Sequence, residues 1–345
     1  MKRKLLLLSI MSAAIFTAKA QDSTLSITGS VDTYYKYDFA DPKGGLGQIP
    51  TSFATDHNSL SIGMVDIALK KKISKAAFVG ELSFGPRGQY QSIPAGDGND
   101  LNGTNSFHIQ NLYISYDLTD KLNVTAGYMG TFIGYEVISP TANFNYSTSY
   151  LFTNGPFQNA GFKATYTFSD KVSLMAGIFN DQWNGYRAFE NGMDNFGAQL
   201  GLHPVEGWDA YLNVITGHTM GTEFDLTTAY QITDMFKLGL NAAVYSSSDY
   251  AKANFELPGF AGVALYPQVA VSSSVSLGLR GEYFKFKSDG PDVKAITATA
   301  NIKAGPLTFI PEVRLDSWNE EAFEKKNGDP TKSASQFLLA AVYAF

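Results

Sequence analysis

Few residues of this chain could do chemistry. His57, His108, His203 and His218 are its only histidines, and there is no cysteine. Imidazole exchanges protons near neutral pH, and a serine beside it would open the way to acyl transfer. On a barrel-borne lipid hydrolase such a pair would face lipid near the rim, where Ser106 or Ser147 could meet His57 or His108. No motif ties these residues together, and chance supplies such pairs readily. The run Gly96-Asp97-Gly98-Asn99-Asp100 is acidic and tight like a calcium turn. It lacks the Asp-x-Asp-x-Asp-Gly order and the later Glu in register, so a solvated loop accounts for it better. Without cysteine there is no disulfide, thiol nucleophile or thiolate metal site. No glycine-rich phosphate loop opens a helix. The chain is therefore expected to have no catalytic residue, no cofactor and no metal. Its function should lie in how polar side chains line a space, and that depends on the elements that hold them.

Composition points to those elements. The chain holds 25 Phe, 19 Tyr and 32 Gly with 17% charged residues, yet its mean hydropathy is close to neutral at −0.10. Strict alternation of lipid-facing and water-facing residues has this effect, because the two cancel in any window. From Ala160 to Phe168, Ala160, Phe162, Ala164, Tyr166 and Phe168 share one face against Gly161, Lys163, Thr165 and Thr167. Phe224, Leu226, Tyr230 and Ile232 oppose Glu223, Asp225, Thr227 and Gln231 in the same way. Phe236, Leu238, Leu240, Ala242 and Val244 oppose Lys237, Gly239 and Asn241. After the first twenty residues no apolar run reaches the roughly 18 residues of a helical span. The net charge of −6 makes nucleic acid an unsuitable partner.

Both ends carry signals. Lys2, Arg3 and Lys4, the apolar stretch Leu5 to Phe16, and Ala18-Lys19-Ala20 have the order of a secretory signal peptide. Residues 1–20 are expected to be cleaved, leaving 21–345 as one domain; loss of Lys2, Arg3, Lys4 and Lys19 moves the net charge from −6 to −10. The chain closes with Phe337, Leu339, Ala341, Tyr343 and Phe345 on one strand face. Such a row suits lipid on the outside of a closed barrel. The terminal Phe345, with Tyr343 two residues earlier, looks like the signal read by the barrel-assembly machinery.

The expected fold is all-β: a transmembrane antiparallel up-and-down barrel of about sixteen strands, within a range of 14 to 18. Strands are placed near 24–37, 58–71, 76–85, 108–118, 121–135, 159–168, 171–180, 194–203, 207–217, 222–232, 235–246, 258–269, 274–286, 292–304, 306–316 and 335–345. Short turns such as Ser169-Asp170-Lys171 and Gly305-Pro306 alternate with long polar segments. That is the order of tight periplasmic turns and long external loops. Phe168, Trp208, Phe236 and Phe309 fall near the turn end, where an aromatic girdle would lie. The pattern breaks twice. Asp66 falls on the face of Leu60, Ile62 and Met64, and a bulge there would turn Val65, Ile67 and Leu69 outward. In the last strand Leu338, Ala340, Val342 and Ala344 make the inner face apolar too, which a plug segment or tight packing in the lumen would explain.

Several segments add a family resemblance. Gly29-Ser-Val31-Asp32-Thr33-Tyr34-Tyr35, Gly134-Tyr135-Glu136, Asn143-Phe-Asn145-Tyr146-Ser147 and Ser149-Tyr150-Leu151-Phe152-Thr-Asn154-Gly155-Pro156-Phe157 resemble the second beta-barrel porin family, the OmpL-like one. The likeness is sharpest over 130–165. It implies a porin in the outer membrane of a Gram-negative bacterium, and it transfers no catalytic residue and no ligand. A homotrimer fits other porins of this size, although no residue pattern marks a subunit interface.

A barrel of this width can hold an aqueous lumen. Lys163, Asp225, Arg280, Glu282, Glu312 and Arg314 are candidates to face it, with both signs present and no stripe of one charge. The connection from Glu136 to Gln158 holds five aromatics, and Glu136 is its only charge. It is expected either to fold into the lumen as a constriction, with Glu136, Asn143, Asn145, Tyr146, Tyr150 and Asn154 as its candidate residues, or to pack over the barrel wall or latch a neighbouring subunit. Neutral amides and hydroxyls there would favour uncharged polar solutes over ions. The expected function is passive diffusion of small hydrophilic solutes, with membrane lipid and the assembly machinery as the other partners. The alternative is a non-conducting barrel whose glycine-rich loops, 42–50 and 96–104, act as a binding or adhesion scaffold.

Overall fold

The computed structural model describes residues 23–89, 93–94, 108–288 and 290–345. The expected signal peptide 1–20, the acidic turn 96–100, Ser106 and the side chain of His108 lie outside the described residues. Alternating sequence gives sixteen long strands. They are β1 Ser26–Asp38, β2 Ser59–Ile73, β3 Ala76–Phe84, β4 His108–Asp117, β5 Leu122–Gly130, β6 Gln158–Ser169, β7 Val172–Phe179 and β8 Asn195–Leu202. Then follow β9 Trp208–Gly217, β10 Gly221–Gln231, β11 Phe236–Ser247, β12 Phe260–Ala270, β13 Val275–Phe286, β14 Asp292–Ala304, β15 Leu307–Trp318 and β16 Ser333–Ala344. Each pairs antiparallel with its neighbours in sequence, and β1 pairs with β16 from Ser30 opposite Ala344 to Asp38 opposite Gln336. The ring is therefore closed and leaves no free edge, the condition for a sheet in hydrocarbon. Two-residue ladders at Ile93–Pro94 and between Phe323–Glu324 and Pro330–Thr331 are the remaining strand pieces among the described residues.

Period two sets the two faces. Leu60, Ile62, Leu112, Ile114, Phe162, Phe196, Phe224, Val313 and Leu339 stand exposed on the outside. Trp208 and Phe309 are exposed at the short-turn end, and Gly207 and Gly305 take φ of 78° and 65° in the turns there. The Asp66 anomaly is a bulge. Val31 pairs with Val65 but Thr33 with Ile62, so β2 carries one extra residue, and the Met64 amide donates to Asp32 at 3.0 Å. Ile67 and Leu69 turn outward as a result. β5 ends at Gly130, five residues before the expected limit of 135. The Thr131 hydroxyl takes the Ile133 amide at 3.1 Å, and Gly134, at φ 87°, turns its amide to Asp225 at 3.0 Å. One local bond and one to β10 thus draw the chain off the wall. Among the described residues no helix is long and apolar enough to cross a membrane, which says nothing about a β-barrel.

Candidate functional site

The connection between β5 and β6, residues 131–157, supplies the interior of the barrel. A segment with Ile133, Ile138, Tyr146, Tyr150, Leu151, Phe152 and Phe157 would expose much apolar surface to water outside the ring. Inside, it joins three clusters. Ile133, Tyr150 and Leu151 pack with Tyr245, Phe260 and Phe284, whereas Ile138, Phe152 and Phe157 pack with Met64. Tyr146 packs with Tyr34, Ile310, Leu338, Ala340 and Val342. That last cluster accounts for the apolar inner face of β16: the lumen is tightly packed there. A helical turn at Tyr150–Asn154 is capped by Ser149, whose hydroxyl accepts the Phe152 amide at 3.0 Å.

Two fully buried arginines fasten the loop to the wall. Arg280 of β13 donates to Glu282 at 2.6 Å and Glu136 at 2.9 Å, and also to the carbonyls of Ser147 at 2.5 Å and Thr148 at 3.1 Å. Arg314 of β15 donates to Asp316 at 2.7 Å and to the Thr148 carbonyl at 2.7 Å, with its guanidinium 5.2 Å from the centre of the Tyr150 ring. The carboxylates accept in turn from loop amides: Tyr146 to Glu312 at 3.0 Å, Ser149 to Glu136 at 2.7 Å and Tyr150 to Glu282 at 2.8 Å. The Tyr150 hydroxyl donates to Asp316 at 2.5 Å, the Tyr146 hydroxyl to Asp32, and the Asn145 amide to Thr299 at 2.6 Å. Charges in a dry seam are tolerable only when paired and hydrogen-bonded, and here wall and loop satisfy each other. On the other flank Arg87 donates to the Ile138 carbonyl at 2.7 Å and sits 4.9 Å from the Tyr146 ring.

The inner wall is consequently of two kinds. Arg280, Thr297, Thr299, Glu312, Arg314 and Asp316 are dry under the loop. On β3 to β6 Glu81, Asn111, Tyr113, Asn123, Lys163 and Thr165 are inward-facing and partly exposed. Inside a closed ring that exposure means water beside them. On β8 to β11 the same holds for Gln199, Tyr211, Gln231 and Lys237, but Asn213, Glu223, Asp225, Thr227 and Asn241 are buried and Gln199 donates to the Phe132 carbonyl of the loop at 3.2 Å.

Residues 24–345 match the sequence profile of the family described as "Putative beta-barrel porin-2, OmpL-like". The chain belongs to this family. In fold it is similar to the outer membrane channel DcaP of Acinetobacter baumannii, at 12% identity and a TM-score of 0.62, covering 96% of this chain and 99% of that one. It is also similar to OmpT of Vibrio cholerae, at 13% identity and a TM-score of 0.54 with 95% and 100% coverage. A third similar fold is an engineered variant of the Rh. blastica porin, at 13% identity and a TM-score of 0.56 with 93% and 100% coverage. No curated protein matches the chain in sequence.

In this OmpL-like porin the six loop candidates divide by position. Glu136, Asn145, Tyr146 and Tyr150 are buried in the loop–wall seam. Asn143 and Asn154 stay half-exposed; Asn143 brackets Val137 through both ends of its amide, and Asn154 donates to the Tyr150 carbonyl at 2.8 Å. Of the wall candidates, Arg280, Glu282, Glu312 and Arg314 converge on the loop, Asp225 holds its first turn, and Lys163 stands apart on β6. Sequence reasoning left out Asp32, Arg87, Thr299 and Asp316 as loop anchors. Asp316 had a usable signal, since it shares a strand face with Arg314 at i+2. Ser147 is not at the rim: it is 3% exposed and contacts Arg280 through its hydroxyl at 3.2 Å. His57 is also buried and accepts the Asp38 amide at 2.9 Å, and His203 lies 2.6 Å from Asp209 at the turn end. Among the described residues no group of three or more His, Asp or Glu is placed to hold a metal.

Proposed function

We propose that this porin passes small hydrophilic solutes by passive diffusion, through the gap between residues 131–157 and the partly exposed inner wall of β3 to β6. The observation that carries the reading is the contrast between the dry wall under the loop, on β9 to β11 and β13 to β15, and the partly exposed inner wall of β3 to β6. Residues 137–157 contain no Asp, Glu, Lys or Arg, so the loop face toward the gap is neutral. Uncharged polar solutes, sugars among them, suit such a lining better than ions. Asn143 and Asn154 border the gap, whereas Glu136, Asn145, Tyr146 and Tyr150 hold the loop in place. The porin resides in the outer membrane of a Gram-negative bacterium after removal of residues 1–20, and the assembly machinery reads the strand ending in Tyr343 and Phe345. A homotrimer is proposed by likeness to OmpT of Vibrio cholerae, which is described in a trimer form.

The test is conductance in planar bilayers together with liposome swelling in neutral and charged solutes of matched size. Discrete open steps and faster entry of neutral solutes are expected. Deletion of residues 141–154 should raise single-channel conductance. A folded barrel that stays electrically silent would replace the pore with a surface scaffold.

A further inference from the structure

The outer wall carries a feature that solute passage does not use. Across β2 to β6 a row of outward positions runs Lys71, Phe78, Ile114, Ala126 and Phe162, each opposite the next in register. The adjoining row toward the short turns runs Ile73, Ala76, Tyr116, Val124 and Ala164. Where the alanines fall short of the large side chains around them, a crevice of about 390 Å³ opens in the wall. Lys71 and Tyr116 are its two polar-tipped outward-facing residues. Among the described residues neither the Lys71 ammonium nor the Tyr116 hydroxyl has a hydrogen-bond or ion-pair partner. The other outward side chains of β2 that are exposed, Leu60, Ile62, Ile67, Leu69 and Ile73, are all apolar.

We infer that this crevice seats one anionic phospholipid of the leaflet on the short-turn side. An acyl chain lies over Ala76, Ala126 and Val124, and the phosphate accepts from Lys71 Nζ and the Tyr116 hydroxyl. Depth supports this. Lys71 stands two residues before the end of β2, within about 7 Å of the strand's end at 3.3 Å per residue, so its long stem reaches the headgroup zone. Charge supports it too. An ammonium on an apolar wall is costly unless an anion meets it, and a phosphate is the anion found at that depth. A second copy of this chain is the poorer occupant. The outward positions of the sixteen strands carry no Asp or Glu apart from Asp292, at the opposite, long-loop end, so a neighbouring wall offers Lys71 no carboxylate.

The experiment is native mass spectrometry of the folded, detergent-solubilised protein with added phosphatidylglycerol or phosphatidylethanolamine. One phosphatidylglycerol should be retained in preference to phosphatidylethanolamine. Lys71→Gln should weaken retention about tenfold, which is 1.4 kcal/mol. Ala126→Phe, which fills the crevice from the lipid side, should abolish retention while the gel-mobility shift still reports a folded barrel. Should Ala126→Phe fail to fold, Tyr116→Phe gives an independent reading, with an expected loss of several-fold. Equal retention by wild type and Lys71→Gln would overturn the inference. So would an oligomer that binds no lipid and falls apart in Ala126→Phe, since the crevice would then be a contact between copies.

Discussion

Arg280→Met probes the fastening of the loop most directly. Methionine keeps an unbranched stem of similar length and removes the guanidinium. Glu282 then loses its partner at 2.6 Å and Glu136 its partner at 2.9 Å, and the carbonyls of Ser147 and Thr148 lose a donor. Breaking a buried pair from one side costs about 3–5 kcal/mol, because a charge is stranded in a dry place. Arg314 lies 3.8 Å from Glu282 and relieves part of that, so the lower figure, about 3 kcal/mol, is expected. A shift of that size changes the balance between seated and released loop by roughly 150-fold. Three readouts should move together. The heat-induced gel-mobility shift should come at lower temperature, protease should cut within 137–157, and open-channel current should become larger or noisier. Adding Glu136→Gln to Arg280→Met removes one stranded charge and should restore part of the loss, with a coupling within about 0.5–3 kcal/mol. If Arg280→Met left melting, cleavage and current unchanged, the loop would be held by the packing of Tyr146, Tyr150 and Phe152 and not by the ion network.

Three further outcomes are expected. Glu223 of β10 is 2% exposed and its Oε2 has no hydrogen-bond partner among the described residues, so Glu223→Met should raise barrel stability by about 1–3 kcal/mol; a lower melting temperature would count against this. In the β7–β8 loop, burial pushes the Asp181 carboxyl up, but the amides of Phe189, Glu190 and Asn191 at 2.7, 2.8 and 2.7 Å outweigh it and hold the group below the ordinary carboxylate range. Its contribution is therefore full above the unfolded value of about pH 3.9 and fades as pH falls through the lower folded value. Amide exchange at residues 189–191 should stay protected down to about pH 4 and open below it, whereas Asp181→Asn should be open throughout; protection lost near pH 6 would refute the assignment. Phe345 exchanges backbone bonds with Gly29 at 3.0 Å in both directions. Its deletion should slow membrane insertion in cells while the purified chain still refolds in detergent, and normal insertion would detach Phe345 from assembly.

Alternation made the barrel legible because lipid and water select side chains one residue at a time. The sixteen strands, the outward row of β16 and the bulge at Asp66 all follow from that local rule. The interior did not. Inward charge on Arg280 and Arg314 was visible, but alternation assigns a face and not a partner. Those partners lie 133 and 166 residues away at Ser147 and Thr148. The end of β5 escapes alternation for a related reason. Residues 131–135 look extended in isolation, and what bends them is a carboxylate on β10 that captures the Gly134 amide from 91 residues away. The apolar inner face of β16 marked the place where Tyr146 lands, without naming the residue that lands there.

Tyr146 meets Glu312 across 166 residues and Tyr150 meets Glu282 across 132. Synthesis runs from the amino terminus, so the strip bearing Phe144, Tyr146, Tyr150, Phe152 and Phe157 emerges long before its seat exists. Throughout transit it is a sticky ribbon with nowhere to lie. The demand this protein places on escorting chaperones is thus set less by its wall, whose greasy residues alternate with polar ones, than by the stretch that ends up best hidden.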